Sequence, residues 1–182
     1  AACATSALWS IFQGTGMLFH HAIPSPLEIT KAAAPDPPSV SRILPNHGLT
    51  IAQVTRAVHS IGLEPHLVNV KELSILKGTL FAYLCGKIPM LMTLSLFYTS
   101  SSPHEFMGMH AVAATGYSLG HAKAVPYKSS EFLLKSSRID KIYVHDDQVG
   151  PFARMVCDDI KISTTINGTT IDLDSLSTSW KG

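Results

Sequence analysis

An α+β fold is predicted, with helices in the first half of the chain and an antiparallel sheet in the second. Three observations carry this. Between Cys3 and Phe19, the residues Ala4, Ala7, Leu8, Ile11 and Phe12 fall at i, i+3, i+4, i+7 and i+8, one apolar helical stripe. Thr50-Ile51-Ala52-Gln53 is a capping box that opens another helix. From Ile88 onward the pattern becomes that of strands and includes Asn167-Gly168, the two residues of a tight hairpin turn. The 182 residues, 46% hydrophobic and 15% charged, suffice to bury a core as a single domain over 1–182. Within it, 1–86 reads as a mainly helical lobe and 87–182 as a mainly β lobe.

In the first helix, Gly14 and Gly16 are candidate early stops, and Trp9 lies off the apolar stripe. Pro24, Pro26, Pro35, Pro37, Pro38 and Pro45 argue against a long regular element from Ala22 to Pro45, so a surface excursion is expected. After Thr50 the buried face is Val54, Ala57, Val58 and Ile61, with Gly62 as the C-terminal stop. Leu63 to Val70 reads as an extended edge segment, because Pro65 has no amide to give a ladder. Glu72 to Cys85 reads as helix in one or two pieces, with Gly78 as the weak point and Gly86 as the end.

Pro89 to Leu96 is the first expected strand, followed by a polar turn from Thr99 to Pro103. Met107 to Tyr117 is an unbroken run of mostly small apolar residues with one ionisable group, His110. Such a run predicts a central strand covered on both faces, with Gly116 allowing a close approach. Gly120 to Ile139 is a polar, lysine-bearing insertion or wide hairpin. Lys141 to His145 is a strand ending in Asp146-Asp147, and Phe152–Asp158, Ile160–Ile166 and Thr169–Leu173 complete the set.

Composition excludes several classes of function. A net charge of +1 without a basic cluster gives no electrostatic reason to expect nucleic acid. Three cysteines cannot all pair and form no disulfide framework, which favours a reducing, cytoplasmic setting. Cys85 and Cys157 read as buried small hydrophobes. Leu80 to Tyr98 is apolar enough to suggest a membrane span, but Gly86-Lys87-Ile88-Pro89 divides it, so no span is expected. The nine histidines include His20-His21 and His145 beside Asp146-Asp147, but no His-x-x-x-His or Cys-x-x-Cys spacing occurs. Neither a metal nor another cofactor is expected. Asn167-Gly168-Thr169 matches a glycosylation acceptor and is better read as the hairpin turn. The chain opens at Ala1 rather than Met, which implies a removed leader or a start within a longer protein.

A thiol nucleophile needs a base to take its proton, and the base needs a partner to hold its tautomer. Cys3 stands at a helix start, where unpaired amides and the macrodipole favour a thiolate. His110 lies on the central strand and Asp146 ends a later one. Singly, each has an ordinary structural reading: a helix-start cysteine, a packed core histidine and a turn aspartate. Together, in the order Cys, His, Asp, they are the three parts of a triad. Because side chains alternate along Lys141 to His145, only one of Asp146 and Asp147 can face the His110 strand.

The motifs Cys3-Ala-Thr-Ser-Ala-Leu-Trp9, Met109-His110-Ala-Val-Ala-Ala-Thr-Gly116-Tyr117 and Ile142-Tyr-Val-His-Asp146-Asp-Gln-Val-Gly150-Pro151 resemble papain-like cysteine peptidases. The branch they resemble most is that of bacteriocin leader peptidases and their stand-alone bacterial relatives. The helix from Thr50 to Gly62 with Leu63 to Val70 resembles that family's middle segment. The resemblance implies a papain-like fold, a helical lobe packed on an antiparallel sheet lobe, with the substrate groove between them. It implies Cys3 as nucleophile, His110 as base, Asp146 as orienting acid and a peptide or protein as substrate. The Cys3 amide would then supply one oxyanion donor. The glutamine the family places before its nucleophile would fall ahead of Ala1. Gln13 follows Cys3 instead, and Gln148 would serve only if its loop folded back. The stretches Ala22 to Pro45 and Gly120 to Ile139 are longer than the family's minimum. Two alternatives keep the fold: a catalytically inactive peptide-binding module, and a deamidase or acyltransferase using the same triad.

Overall fold

The computed structural model describes residues 2–34, 48–98, 100, 103–157 and 160–178, with the backbone alone for Ile166. Helix α1 (Cys3–Phe19) buries Ala4, Ala7, Leu8, Ile11 and Phe12, the stripe expected from the spacing. It runs through both glycines instead of stopping at either. A Cβ on Gly14 would lie 3.4 Å from Pro89, and one on Gly16 would lie 2.8 Å from Ile23. Gly16 in particular is required by what packs on the helix. The helix ends at His20, whose φ of 60° is left-handed.

The stretch after Ala22 holds no long element among the described residues, but it includes a short helix, α2 (Pro26–Ala33), whose buried Ile29 and Ala33 correct the expectation of a mere surface excursion. Ser25 and Glu28 form a capping box and Pro26 occupies the first helical turn, where a missing amide costs nothing. One of the prolines that argued against a long element therefore starts a short one. The rest of that stretch, 35–47, lies outside the described residues, as does part of the expected turn after Tyr98. Helix α3 (Ile51–His59) has the predicted Thr50–Gln53 box, and Gly62 follows with φ of 82°. Ala7, Leu8, Phe12, Ile29, Ala33 and Ala57 then form one cluster, with Val54, Val58 and Ile61 packed against it. The Arg56 guanidinium donates to the Ala33 carbonyl at 3.1 and 2.9 Å, closing the C-terminal end of α2.

Residues 63–70 pair with no strand among the described residues, contrary to the edge assignment. Leu67, Val68 and Val70 are exposed, so nothing holds the segment against a sheet edge. Helix α4 (Leu73–Cys85) passes unbroken through Gly78 and ends before Gly86. No helix among the described residues is long and apolar enough to cross a membrane.

The main sheet is antiparallel with the order β1 (Met90–Phe97), β2 (Phe106–Leu119), β5 (Ile139–Asp146), β6 (Gly150–Val156) and β9 (Ser177–Thr178). Between β2 and β5 the chain forms a small hairpin, β3 (Val125–Pro126) with β4 (Leu133–Leu134), and a 3-10 turn over Lys135–Arg138. Strands β7 (Lys161–Ile166) and β8 (Thr169–Asp174) make the hairpin expected at Asn167-Gly168, where both residues have positive φ.

Strand β2 is covered on both faces, as a run of small apolar residues requires. Ala113 faces Ala7, Leu8 and Phe12 of α1, while Val112 and Ala114 face Leu80 of α4 with Ile142 and Val144 of β5. Gly116 is less constrained than expected: a Cβ there would meet Tyr143 at 3.6 Å, an ordinary contact. Cys85 is also corrected. It is exposed at the end of α4, with its sulfur 3.2 Å from the Tyr117 hydroxyl. Cys157 follows β6 and packs half-buried against the α4 face of the sheet.

Candidate active site

His110 and Asp146 both sit where the sheet departs from regular pairing. The β1–β2 register shifts between Leu96 and Phe97, which face Gly108 and Phe106, so Met107 is the extra residue shortly before His110. The β5–β6 register shifts between Val144 and Asp146. Bulges at such positions bend a strand and re-aim its side chains. The outcome is a buried contact: His110 Nε2 lies 2.6 Å from Asp146 Oδ2, with side chains 3% and 0% exposed.

The other carboxylate oxygen is committed as well. Asp146 Oδ1 accepts the backbone N–H groups of Gln148 at 2.7 Å and Val149 at 3.1 Å. Three donors on two oxygens fix the carboxylate in place. Because Asp146 accepts at Nε2, the neutral imidazole carries its proton there and presents Nδ1 as its acceptor nitrogen. Asp147 is placed differently, with Oδ1 3.9 Å from His110 Nε2 and a side chain 25% exposed. Both carboxylates reach toward His110, against the expectation that only one can face its strand, but only Asp146 is buried and within hydrogen-bond distance.

Cys3 is the first residue of α1 and is buried. Ala2, at the N-cap, offers no side-chain acceptor, and the first turn contains no acid. The positive end of the helix is therefore uncompensated by its own side chains. Cys3 and Ala4 share a cluster with Ala111, the residue after His110. The histidine and aspartate are thus joined directly, and the start of the cysteine helix reaches β2 one residue away.

Ligand atoms of His110, Asp146 and Asp147 lie within 4.8 Å of one another, a grouping that spacing in the sequence did not signal. Its chemistry is that of a proton-linked pair, since Asp146 already accepts from three N–H groups. A cation bound through both His110 and Asp146 would have to displace their mutual hydrogen bond. Of the two glutamines considered as oxyanion donors, Gln148 contributes its backbone amide to Asp146. Gln13 lines a separate pocket with Ser10, Lys87 and His145.

His145 has a role that sequence reasoning missed. Its Nδ1 is 2.6 Å from Ser10 Oγ, tying α1 to β5 one residue before Asp146, and its ring meets Phe152 edge-on. Nε2 is buried and has no hydrogen-bond partner among the described residues. Burial pushes the His145 pKa below its ordinary 6.5. Above 6.5 folded and unfolded chains both hold it neutral. As pH falls through that value the unfolded chain binds the proton more readily, so folding stability declines. His145→Gln should therefore show a smaller fall in Tm between about pH 7.5 and about pH 5 than wild type. Parallel slopes in thermal denaturation would refute this. Asp140, held below its ordinary 3.8 mainly by the Ser118 hydroxyl and then by Lys141, loses its contribution only at lower pH, so the windows separate.

Compared with family models, curated proteins and solved structures, the chain matches none.

Proposed function

We propose that this protein is a thiol hydrolase of papain-like architecture that cleaves peptide bonds with Cys3, His110 and Asp146. The observation that carries the reading is the buried 2.6 Å bond between His110 Nε2 and Asp146 Oδ2. A packing histidine gains little from a buried carboxylate anchored by two backbone amides, whereas a general base needs its tautomer and ring plane held. The start of α1 beside Ala111 is the second support, because it sets a thiol and uncapped amides next to the strand that bears the base.

In this mechanism His110 Nδ1 takes the Cys3 proton, and the thiolate attacks the scissile carbonyl. The Cys3 amide stabilises the oxyanion. The C–N bond breaks as His110 returns the proton to the leaving amine, leaving a thioester on Cys3. His110 then deprotonates water, which attacks the thioester. The acid is released and the thiol regains its proton.

Iodoacetamide labelling with peptide mapping tests the thiol–imidazole pairing. Cys85 is the natural internal control, because it is exposed and its sulfur lies beside Tyr117, seven residues along β2 from His110. At about pH 6 Cys3 should label faster than Cys85 despite its burial, since a thiolate reacts where a thiol does not. His110→Ala should remove that advantage. Faster labelling of Cys85 in wild type would remove the pairing and the mechanism with it. Release of ammonia from glutamine peptides without chain cleavage would assign the same triad to deamidation.

A further inference from the structure

The β3–β4 hairpin exposes more apolar surface than any contact of its own explains. Val125, Tyr127, Phe132, Leu133 and Leu134 are 56, 50, 79, 63 and 39% exposed. Val125 pairs with Leu134 and Pro126 with Leu133, so adjacent pairs place apolar side chains on both faces of the ribbon. A two-stranded ribbon with no buried face has nothing to gain from such residues unless something outside the chain covers them. The ribbon is nonetheless well built. Tyr127 N donates to Phe132 O at 2.8 Å, Ser130 N to Tyr127 O at 3.0 Å, and Val125 N to Ser137 Oγ at 2.9 Å. At its base Gly120 N donates to Arg138 O, and the Arg138 guanidinium returns bonds to Gly120 O.

Charge identifies the cover. Residues 120–138 carry Lys123, Lys128, Lys135 and Arg138 against Glu131 alone, a net +3 where the whole chain has +1. The rest of the chain therefore has ten cations against twelve carboxylates. The three lysines are exposed, Lys128 at the tip with Glu131 and with its Nζ 5.3 Å from the Tyr127 ring centroid, and Lys123 and Lys135 at the base of the ribbon. An exposed ribbon that combines aromatic and leucine side chains with lysines at its tip and base suits the boundary between headgroups and acyl chains. Anionic lipid attracts the lysines while the apolar side chains enter.

We propose that the 120–138 hairpin is an interfacial anchor that docks the protein on an anionic lipid bilayer without spanning it. The anchor lies away from the candidate catalytic residues. Leu119, where the insertion leaves β2, is nine residues along the strand from His110, roughly 30 Å at full extension. Docking would leave that end of the sheet facing water, and the inference does not depend on the triad.

The test uses the full chain and sedimentation with large vesicles of phosphatidylcholine, alone or with about one-third phosphatidylserine. Wild type should pellet with the anionic vesicles, remain in solution with the neutral ones, and be released as NaCl rises. Lys128→Glu with Lys135→Glu should lower the partition coefficient by about 25-fold or more, about fivefold for each positive charge lost. Phe132→Ser with Leu133→Ser should reduce binding by about tenfold or more at unchanged charge. These side chains are exposed, so thermal denaturation should find both variants as stable as wild type. Failure of wild type to bind anionic vesicles, or binding that ignores both double variants, would overturn the anchor. So would a concentration-dependent dimer that Phe132→Ser abolishes, which would assign the apolar hairpin to a second copy of the chain.

Discussion

If the proposed chemistry holds, Cys3→Ala should abolish turnover of a mixed peptide library, lowering the rate by about 10³-fold or more, while leaving the fold intact. A nucleophile has no substitute: water attacking in place of the thiolate lacks both the covalent step and the position at the start of α1. The truncation itself is mild. Cys3 and Ala4 share their cluster with Ala111, and replacing a thiol by hydrogen removes one heavy atom from a small apolar site. Circular dichroism and Tm should therefore stay close to wild type while peptide hydrolysis disappears. The same variant separates enzyme from binding module. Should wild type itself show no turnover yet retain peptides with measurable affinity, the catalytic reading falls and a peptide-binding role replaces it. Should Cys3→Ala hydrolyse as fast as wild type, the nucleophile lies elsewhere and the triad is wrong.

Asp146→Asn should lower turnover by roughly 10 to 10⁴-fold, with Asp147→Asn costing less than about threefold under the same conditions. The contrast rests on geometry. Asp146 Oδ2 stands 2.6 Å from His110 Nε2 in a site from which water is excluded, whereas the Asp147 carboxylate is 3.9 Å away and a quarter exposed. The asparagine keeps the shape of Asp146 but removes the negative charge that stabilises the imidazolium. Its amide could also present N–H to Nε2 and force the ring into the wrong tautomer. The wide range reflects a real difference between nucleophiles: a thiolate–imidazolium pair tolerates a neutral orienting group better than a Ser–His pair does. Asp146→Asn also disturbs the turn held by Gln148 N and Val149 N, so its Tm must be measured beside its rate. If Asp147→Asn is the crippled variant, the orienting acid is the outer aspartate and the buried pair is structural.

Much of the architecture was legible in the residues because local rules and tertiary demands coincide there. The stripe on α1, the Thr50–Gln53 box and the Asn167-Gly168 turn need no distant partner to be recognised, since helix period, capping and positive φ are local properties. The apolar run around Ala111 to Ala114 likewise declared a strand buried on both faces before its neighbours were known. Cys3 was singled out by its place at a helix start, His110 as the one ionisable group in the apolar run, and Asp146 rather than Asp147 through the family resemblance.

The tertiary structure decided what depends on neighbours. Pro26 opened a helix because Ser25 and Glu28 completed a box around it, and α1 runs on through Gly16, where Ile23 packs in the space a side chain would take. Residues 63–70 join no strand edge among the described residues, and Cys85 lies on the exposed side of the last turn of α4, whose Phe81 and Leu84 face the core. The Ser10–His145 tie spans 135 residues, a separation at which no local pattern can announce a contact. Side-chain alternation told that only one of two adjacent aspartates could turn inward. The family resemblance pointed to Asp146, and what buries it is the bulge between Val144 and Asp146 together with two amides of the following turn, because pairing register is a property of strands together and not of either alone.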